Sequence, residues 1–215
     1  MQEVSVATRR FGDPPAQLRM GGGRPILRLA MHLLRLALAL LFLGLAVAAP
    51  ALAGPREDQL DKMFARLKDT QSETEASALT QAIWILWTTS DDSNVNDMMR
   101  RGIRLMNAQS YDQALDIFDR MVKYAPEFAE GWNKRATVHY MLSNFTESVA
   151  DIQKTLALEP RHFGALSGLG MINIELERGA EALKAFEAAL KANPFLPGAR
   201  QQIQELKKKL QGSPT

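Results

Sequence analysis

The sequence predicts an all-α fold, a right-handed solenoid of tandem helix–turn–helix units, placed behind an N-terminal leader. Three observations carry this reading. Pro126, Pro160 and Pro194 stand 34 residues apart, and several other columns keep the same period. An uncharged apolar run, 36–53, lies between a set of arginines and a small-residue motif. The 215 residues include no cysteine, are 46% hydrophobic and 23% charged, and carry a formal net charge of +2. That balance is too apolar for a disordered chain and too charged for a polytopic membrane protein.

The leader comes first. Its apolar core, Leu36 to Ala49, follows Arg24, Arg28 and Arg35 and precedes Pro50-Ala51-Leu52-Ala53-Gly54. A basic start, an apolar stretch of ~7–15 residues and an Ala-x-Ala site describe a secretory signal peptide. Residues 1–53 therefore read as a signal peptide cleaved after Ala53. A membrane-spanning helix asks for ~20 apolar residues, and this run is shorter and stopped by Pro50. An uncleaved inner-membrane anchor stays open as the second reading. The apolar core lies far from Met1, and Met20 and Met31 are alternative starts.

The leader also holds six arginines and two acids, Glu3 and Asp13. Taking its +4 from +2 leaves residues 54–215 at a net −2. No basic field remains to argue for nucleic acid. The periplasm is the expected destination. The missing cysteines exclude a disulfide scaffold, a Cys-ligated zinc or iron–sulfur site and a thiol nucleophile. With only His32, His139 and His162 present, no metal centre and no cofactor is implied.

The repeat columns are Met98/Trp132/Leu166, Gly102/Ala136/Gly170, Tyr111/Phe145/Gly179, Ala114/Ser148/Ala182 and Phe118/Ile152/Phe186. Each unit reads as two helices and a short turn. In the second unit helix A is expected near Glu130–Leu142 and helix B at Phe145–Leu158. Ala136 and Ser148 let the helices approach where they cross, and Trp132 and Ile152 pack around that approach. Pro160 ends helix B. One pair cannot bury its own apolar face, whereas three stacked pairs bury a continuous core and leave a concave side.

On these columns, residues 95–196 resemble three tandem tetratricopeptide repeats, at 95–128, 129–162 and 163–196. The family pattern falls on Trp132, Ala136, Phe145, Ser148, Ile152, Thr155 and Pro160, and again on Leu166, Gly170, Gly179, Ala182, Phe186, Ala189 and Pro194. Gly179 replaces an aromatic at the start of helix B, which should loosen the third unit's turn. Met121 takes a usually small position. The helix-A aromatic site is weak, with Leu105, His139 and Asn173.

The resemblance implies that helix A of each repeat lines a binding groove. Its inward residues would be Met99, Ile103, Met106 and Asn107, then Asn133, Thr137, Tyr140 and Met141, then Ser167, Met171, Ile174 and Glu175. That groove is apolar and rich in methionine, suited to a helix or extended peptide with apolar side chains. Members of the family that grip a C-terminal carboxylate use Lys, Asn and Arg there. Met99, Ile103 and Gly168 cannot do so.

Residues 54–94 read as an N-terminal helical pair, preferably a degenerate repeat. Trp84 and Trp87, one turn apart, are either an anchor for a partner or core packing against the first repeat, and packing is the preferred reading. Residues 197–215 read as a capping helix and tail, with Ile203, Leu206 and Leu210 on one side and Lys207-Lys208-Lys209 at the end favoured by the helix dipole.

Glu159, Arg161 and His162 cluster at one link, where a turn contact is expected, and His139 is expected between helices. Neither has the spacing of a general base with its partner. The expectation is a non-enzymatic, exported protein–protein interaction module, an adaptor or scaffold for a protein or peptide. A self-assembling homo-oligomer stays open as an alternative. A reporter active only outside the cytoplasm, fused to residues 1–53, is expected to be active. A cytoplasmic, uncleaved product would contradict export.

Overall fold

The computed structural model describes residues 54–212, which form nine α-helices and, among them, no strand. The leader therefore lies outside the described residues. Helix α1 is Pro55–Asp69 and α2 is Glu73–Thr88. Proline at the first turn of α1 loses no helical hydrogen bond there. The Ser72 hydroxyl caps α2 by accepting from Glu75 N. The three repeats are α3 Ser93–Asn107 with α4 Tyr111–Tyr124, α5 Ala129–Met141 with α6 Phe145–Leu158, and α7 Phe163–Glu175 with α8 Gly179–Ala192. Helix α9, Pro197–Gly212, closes the array. Helix B of the second repeat has its expected bounds, and helix A starts and ends one residue early. Each helix from α3 onward packs on the next in order, and α5 also touches α7.

The three A-to-B turns are copies of one another. Gln109, Ser143 and Glu177 take φ of 57°, 60° and 57°, the left-handed region. The next residue's N–H closes each turn, from Ser110 to Leu105 O at 2.9 Å, Asn144 to His139 O at 2.8 Å and Arg178 to Asn173 O at 2.8 Å. This is a Schellman closure made without glycine, which costs about 1–2 kcal/mol at each turn.

Where A and B helices cross, side-chain sizes are matched. A Cβ on Gly102 would collide with the Phe118 ring, and one on Gly170 would come within 2.7 Å of the Phe186 ring. The middle crossing uses Ala136 against Ile152, both buried. Glycine thus faces phenylalanine and alanine faces isoleucine. Ser148 Oγ fixes the middle crossing by donating to Ala136 O at 2.7 Å. Met121, in its usually small column, is accommodated by Gly131, where a Cβ would lie 3.1 Å from the Met121 sulfur.

Two sequence expectations are corrected here. The apolar face of α1–α2 does not rest on the first repeat. Leu60, Phe64, Leu67, Ile83 and Trp87 form one buried cluster with Phe163 of α7 and Ala192 of α8. Burial decides this placement, because Phe163 and the segment after α8 offer an uncovered apolar seat. The turn at Gly179 is not loosened by an empty space either. Leu210 of α9 covers it, its Cδ2 3.4 Å from where a Cβ would be. Ile203 and Leu206 bury themselves against Ala182 and Phe186, and Lys207 pairs with Glu187 at 3.3 Å.

Size matching gives a direct test. Ile152→Phe alone should destabilise by about 1–3 kcal/mol through overpacking. Adding Ala136→Gly should recover most of it in a double-mutant cycle followed by thermal unfolding. Glu177→Gly should stabilise by about 1 kcal/mol or less, because it removes the left-handed penalty but loosens the unfolded chain.

Candidate functional site

The helix-A faces of the second and third repeats meet in a cleft of ≈ 210 Å³ between α5 and α7. Asn133, Thr137, Tyr140 and Met141 line it from α5, and Gly168 and Met171 from α7. Ala136, Ile152 and Ile172 form its buried floor. The cleft exists because α7 is thin on this side, with Gly164, Ala165 and Gly168 at its wall. Tyr140 leans on Phe145 with ring centroids 5.8 Å apart, and its hydroxyl donates to Glu175 Oε1 at 3.3 Å. Partial burial and the Glu175 charge push the Tyr140 hydroxyl's pKa up, so it stays a donor. The Thr137 hydroxyl is turned inward to Asn133 O at 2.9 Å.

Five of the positions expected to face inward converge there: Asn133, Thr137, Tyr140, Met141 and Met171. The others do not line this cleft. Met99 is buried in the core of the first repeat, where Ile103 and Met106 also pack. Asn107 is exposed and Ser167 is half-buried. Ile174 packs toward α9 in the C-terminal cluster.

Beside the cleft lies a buried polar junction of which the sequence reading had named only His162, as part of a turn contact, and not its partner Glu130. Glu130 of α5 is 1% exposed and His162, at the start of α7, is 0% exposed. His162 Nδ1 accepts from Ala165 N at 3.1 Å and caps α7. The ring proton therefore sits on Nε2, which donates to Glu130 Oε2 at 2.8 Å. Asn133 Nδ2 donates to the same oxygen at 3.0 Å, and Lys134 Nζ lies 2.9 Å from Oε1. Burial raises the Glu130 pKa, but the His162 hydrogen bond and the Lys134 charge outweigh it, and the net direction is down.

Two tryptophans cover this pair. Trp87 stacks on His162 with centroids 4.1 Å apart and planes 11° apart, and Trp84 meets the same ring edge-on at 5.5 Å. The pair is packed, but against the junction of the second and third repeats rather than the first. A period-34 table hides this junction, because Glu130 stands in a column with Asn96 and Gly164. The clue was an acid at a position that helix packing buries.

Two further sets of charged groups are structural ties. Arg161 donates from its backbone N and Nε to Glu159 Oε1, both at 2.9 Å, and from Nη1 to Asp61 of α1 at 2.5 Å. The expected turn contact is present and reaches one helix further. His139 sits 4.0 Å from Asp151, which Arg135 grips bidentately at 2.7 Å while also bonding Asp119 at 2.7 Å. This ladder joins α4, α5 and α6.

Comparison with known proteins agrees with the geometry. The tetratricopeptide-repeat family model matches residues 99–157 and 135–197. A TPR repeat-containing protein of Rhizobium etli is 33% identical over 165 residues, 77% of this chain and 80% of that protein. The chain belongs to the tetratricopeptide-repeat family. Among solved structures, the first tetratricopeptide domain of Spaghetti (RPAP3), bound to the HSP90 peptide SRMEEVD, superposes with a TM-score of 0.54 at 20% identity. The match spans 58% of this chain and 98% of that domain. The crystal structure of MamA gives 0.52 at 16% identity over 73% of this chain and 84% of that one. These two likenesses establish the tetratricopeptide solenoid fold.

The junction predicts a pH dependence. A carboxyl held below its unfolded value stabilises the fold above the ordinary carboxylate range, near pH 4.3, and loses that contribution as pH falls further. Thermal midpoints should therefore drop below about pH 4, less steeply in Glu130→Gln. His162→Ala, which takes one of the two donors from the buried Glu130 carboxylate and leaves a hole beneath Trp87, should cost about 3–5 kcal/mol at pH 7.

Proposed function

We propose that the chain is an exported adaptor that holds an apolar side chain of a peptide or helix in the cleft between α5 and α7. The observation that carries this is the convergence of Tyr140, Met141 and Met171 around a floor of Ala136, Ile152 and Ile172. At ≈ 210 Å³ the cleft is smaller than the roughly 300–1,000 Å³ of a small-molecule site, and it suits one bulky side chain. Methionines at the mouth adapt to differently shaped apolar partners. Asn133 and Tyr140 supply polar groups at the edge.

The structure of the Spaghetti domain holds a peptide ending in an acidic sequence. An acidic C-terminus is disfavoured here. Gly168 offers no cation, Lys134 is committed to Glu130, and Glu175 stands at the rim beside Tyr140. The partner is accordingly an apolar segment. Export rests on the leader's basic start, apolar core and Ala-x-Ala site, and places the adaptor in the periplasm.

Crosslinking and pull-down of the tagged protein from envelope extract tests the cleft. Tyr140→Asp and Met171→Asp should each reduce capture of the partner by at least tenfold while the helical circular-dichroism signal is kept. Undiminished capture by the folded double variant would remove the cleft from the proposal.

A further inference from the structure

A cavity of ≈ 320 Å³ lies where α1 begins, against the second repeat. Gly54 and Glu57 line it at the start of α1, Trp87 at the end of α2, Glu127 and Glu130 at the start of the second repeat, and Glu159 at the end of α6. The four carboxylates are unevenly neutralised. Arg161 answers Glu159, its Nε 2.9 Å from Oε1. Lys134 Nζ lies 2.9 Å from Glu130 Oε1 but off the line of a hydrogen bond, so that buried oxygen still lacks a donor. Among the described residues, Glu57 and Glu127 have no ion pair. The basic side chain on the cavity wall is Arg56, and it is engaged with the end of α2. Its Nη1 donates to Leu86 O at 3.0 Å and to Thr89 O, and its Nη2 pairs with Asp91 at 3.3 Å. The cavity therefore keeps uncompensated negative charge and a buried acceptor, which suits a cation that donates hydrogen bonds.

From this we infer that the cavity seats the chain's own amino terminus: removal of the leader after Ala53 frees the α-amine of Gly54, whose ammonium sits among Glu57, Glu127 and Glu130 and ties α1 to the second repeat. The inference rests on the cleavage contained in the export reading. Gly54 already stands on the cavity wall. It caps α1, its carbonyl accepting from Glu57 N at 2.8 Å and from Asp58 N at 3.1 Å, and the Arg56 contacts hold the first turn against the end of α2. What processing changes is the nitrogen. In the precursor it is an uncharged amide in a continuing chain, and in the processed chain it is an ammonium with three donors. Helix polarity alone works against that charge, because the start of α1 is the positive end of its dipole. Glu57 and Asp58 in the first turn offset this from within the helix. Glu127 and Glu130 lie outside it, so their attraction to the ammonium fastens α1 to another element. Leader removal thus completes the docking of the N-terminal pair, and the processed chain is the more stable form.

The described fold begins at Gly54, so the test uses residues 54–215, released from a tag with Gly54 as the first residue, beside the same chain acetylated at that amine. Followed by the Gly54 Cα chemical shift in NMR, the α-amine should titrate about 0.5 or more above its ordinary pKa of ~7.7–8.0. At pH 7 the free chain should melt at least about 2 °C above the acetylated one. An amine whose pKa is raised on folding stabilises below its unfolded pKa and loses that contribution as pH rises through the folded value. The gap in melting temperature should therefore close by about pH 10. Glu57→Gln/Glu127→Gln, at two exposed positions, should lower the amine's pKa and shrink the gap. If that double variant loses its helical signal, Glu127→Gln alone is used, with the same expected direction. An ordinary or lowered amine pKa, an acetylated chain as stable as the free one or more so (the result that the dipole alone predicts), or no response to the glutamines would overturn the inference. Cleavage itself is read separately, from the first residue of the exported protein, so failure here and failure of the export reading are distinguishable.

Discussion

A hydrogen bond of 2.8 Å between two fully buried side chains, His162 and Glu130, is the constraint on which the rest of the structure depends. An isolated carboxylate in that position would be prohibitively expensive to bury. It is tolerated because Oε2 receives two donors and Lys134 lies against Oε1. The imidazole is equally committed, with Nδ1 capping α7 and Nε2 facing the acid. That arrangement fixes the spacing of α5 and α7, and Trp87 then excludes water by stacking over the imidazole. Three parts of the chain that are distant in sequence are joined at one point.

Around that point the solenoid is regular. The same left-handed residue closes each A-to-B turn, and each crossing balances a small residue against a large one. Regular repeats build a uniform inner wall, so function must come from departures. The departures here cluster between the second and third repeats. Gly164 and Gly168 remove side chains, Glu130 introduces a buried charge, and His162 introduces a cap. The first makes room for Trp84, the second opens the cleft, and the last two hold the helices that form it.

The consequence is a groove much shorter than the family architecture offers. Helix α2 covers the inner face near the start of α7, and the first repeat turns Met99, Ile103 and Met106 into its own core. One cleft of ≈ 210 Å³ is left between α5 and α7. In the proposed role, a site of that size would select by one anchoring side chain rather than by a long run of contacts, and the acidic rim at Glu175 would turn that selection away from carboxylate-terminated peptides.

The sequence by itself determined the solenoid. Its period of 34, its small–large columns and its terminating prolines are local properties, and each repeat folds its helix pair from contacts within a few tens of residues. Helix B of the second repeat was legible to the residue from periodicity, and the resemblance to the family named Asn133, Tyr140 and Met171, which line the cleft from two helices. What only the tertiary structure decided is where the non-repeating parts dock. No periodic signal ties Trp84 to Gly164, 80 positions later, or Thr80 to Asn193. The helical spacing of α1–α2 showed that an apolar face must be buried, and not which surface would bury it. That choice was made by shape and valence: a flat imidazole, a missing Cβ and an uncovered Phe163, assembled only once the repeats had stacked.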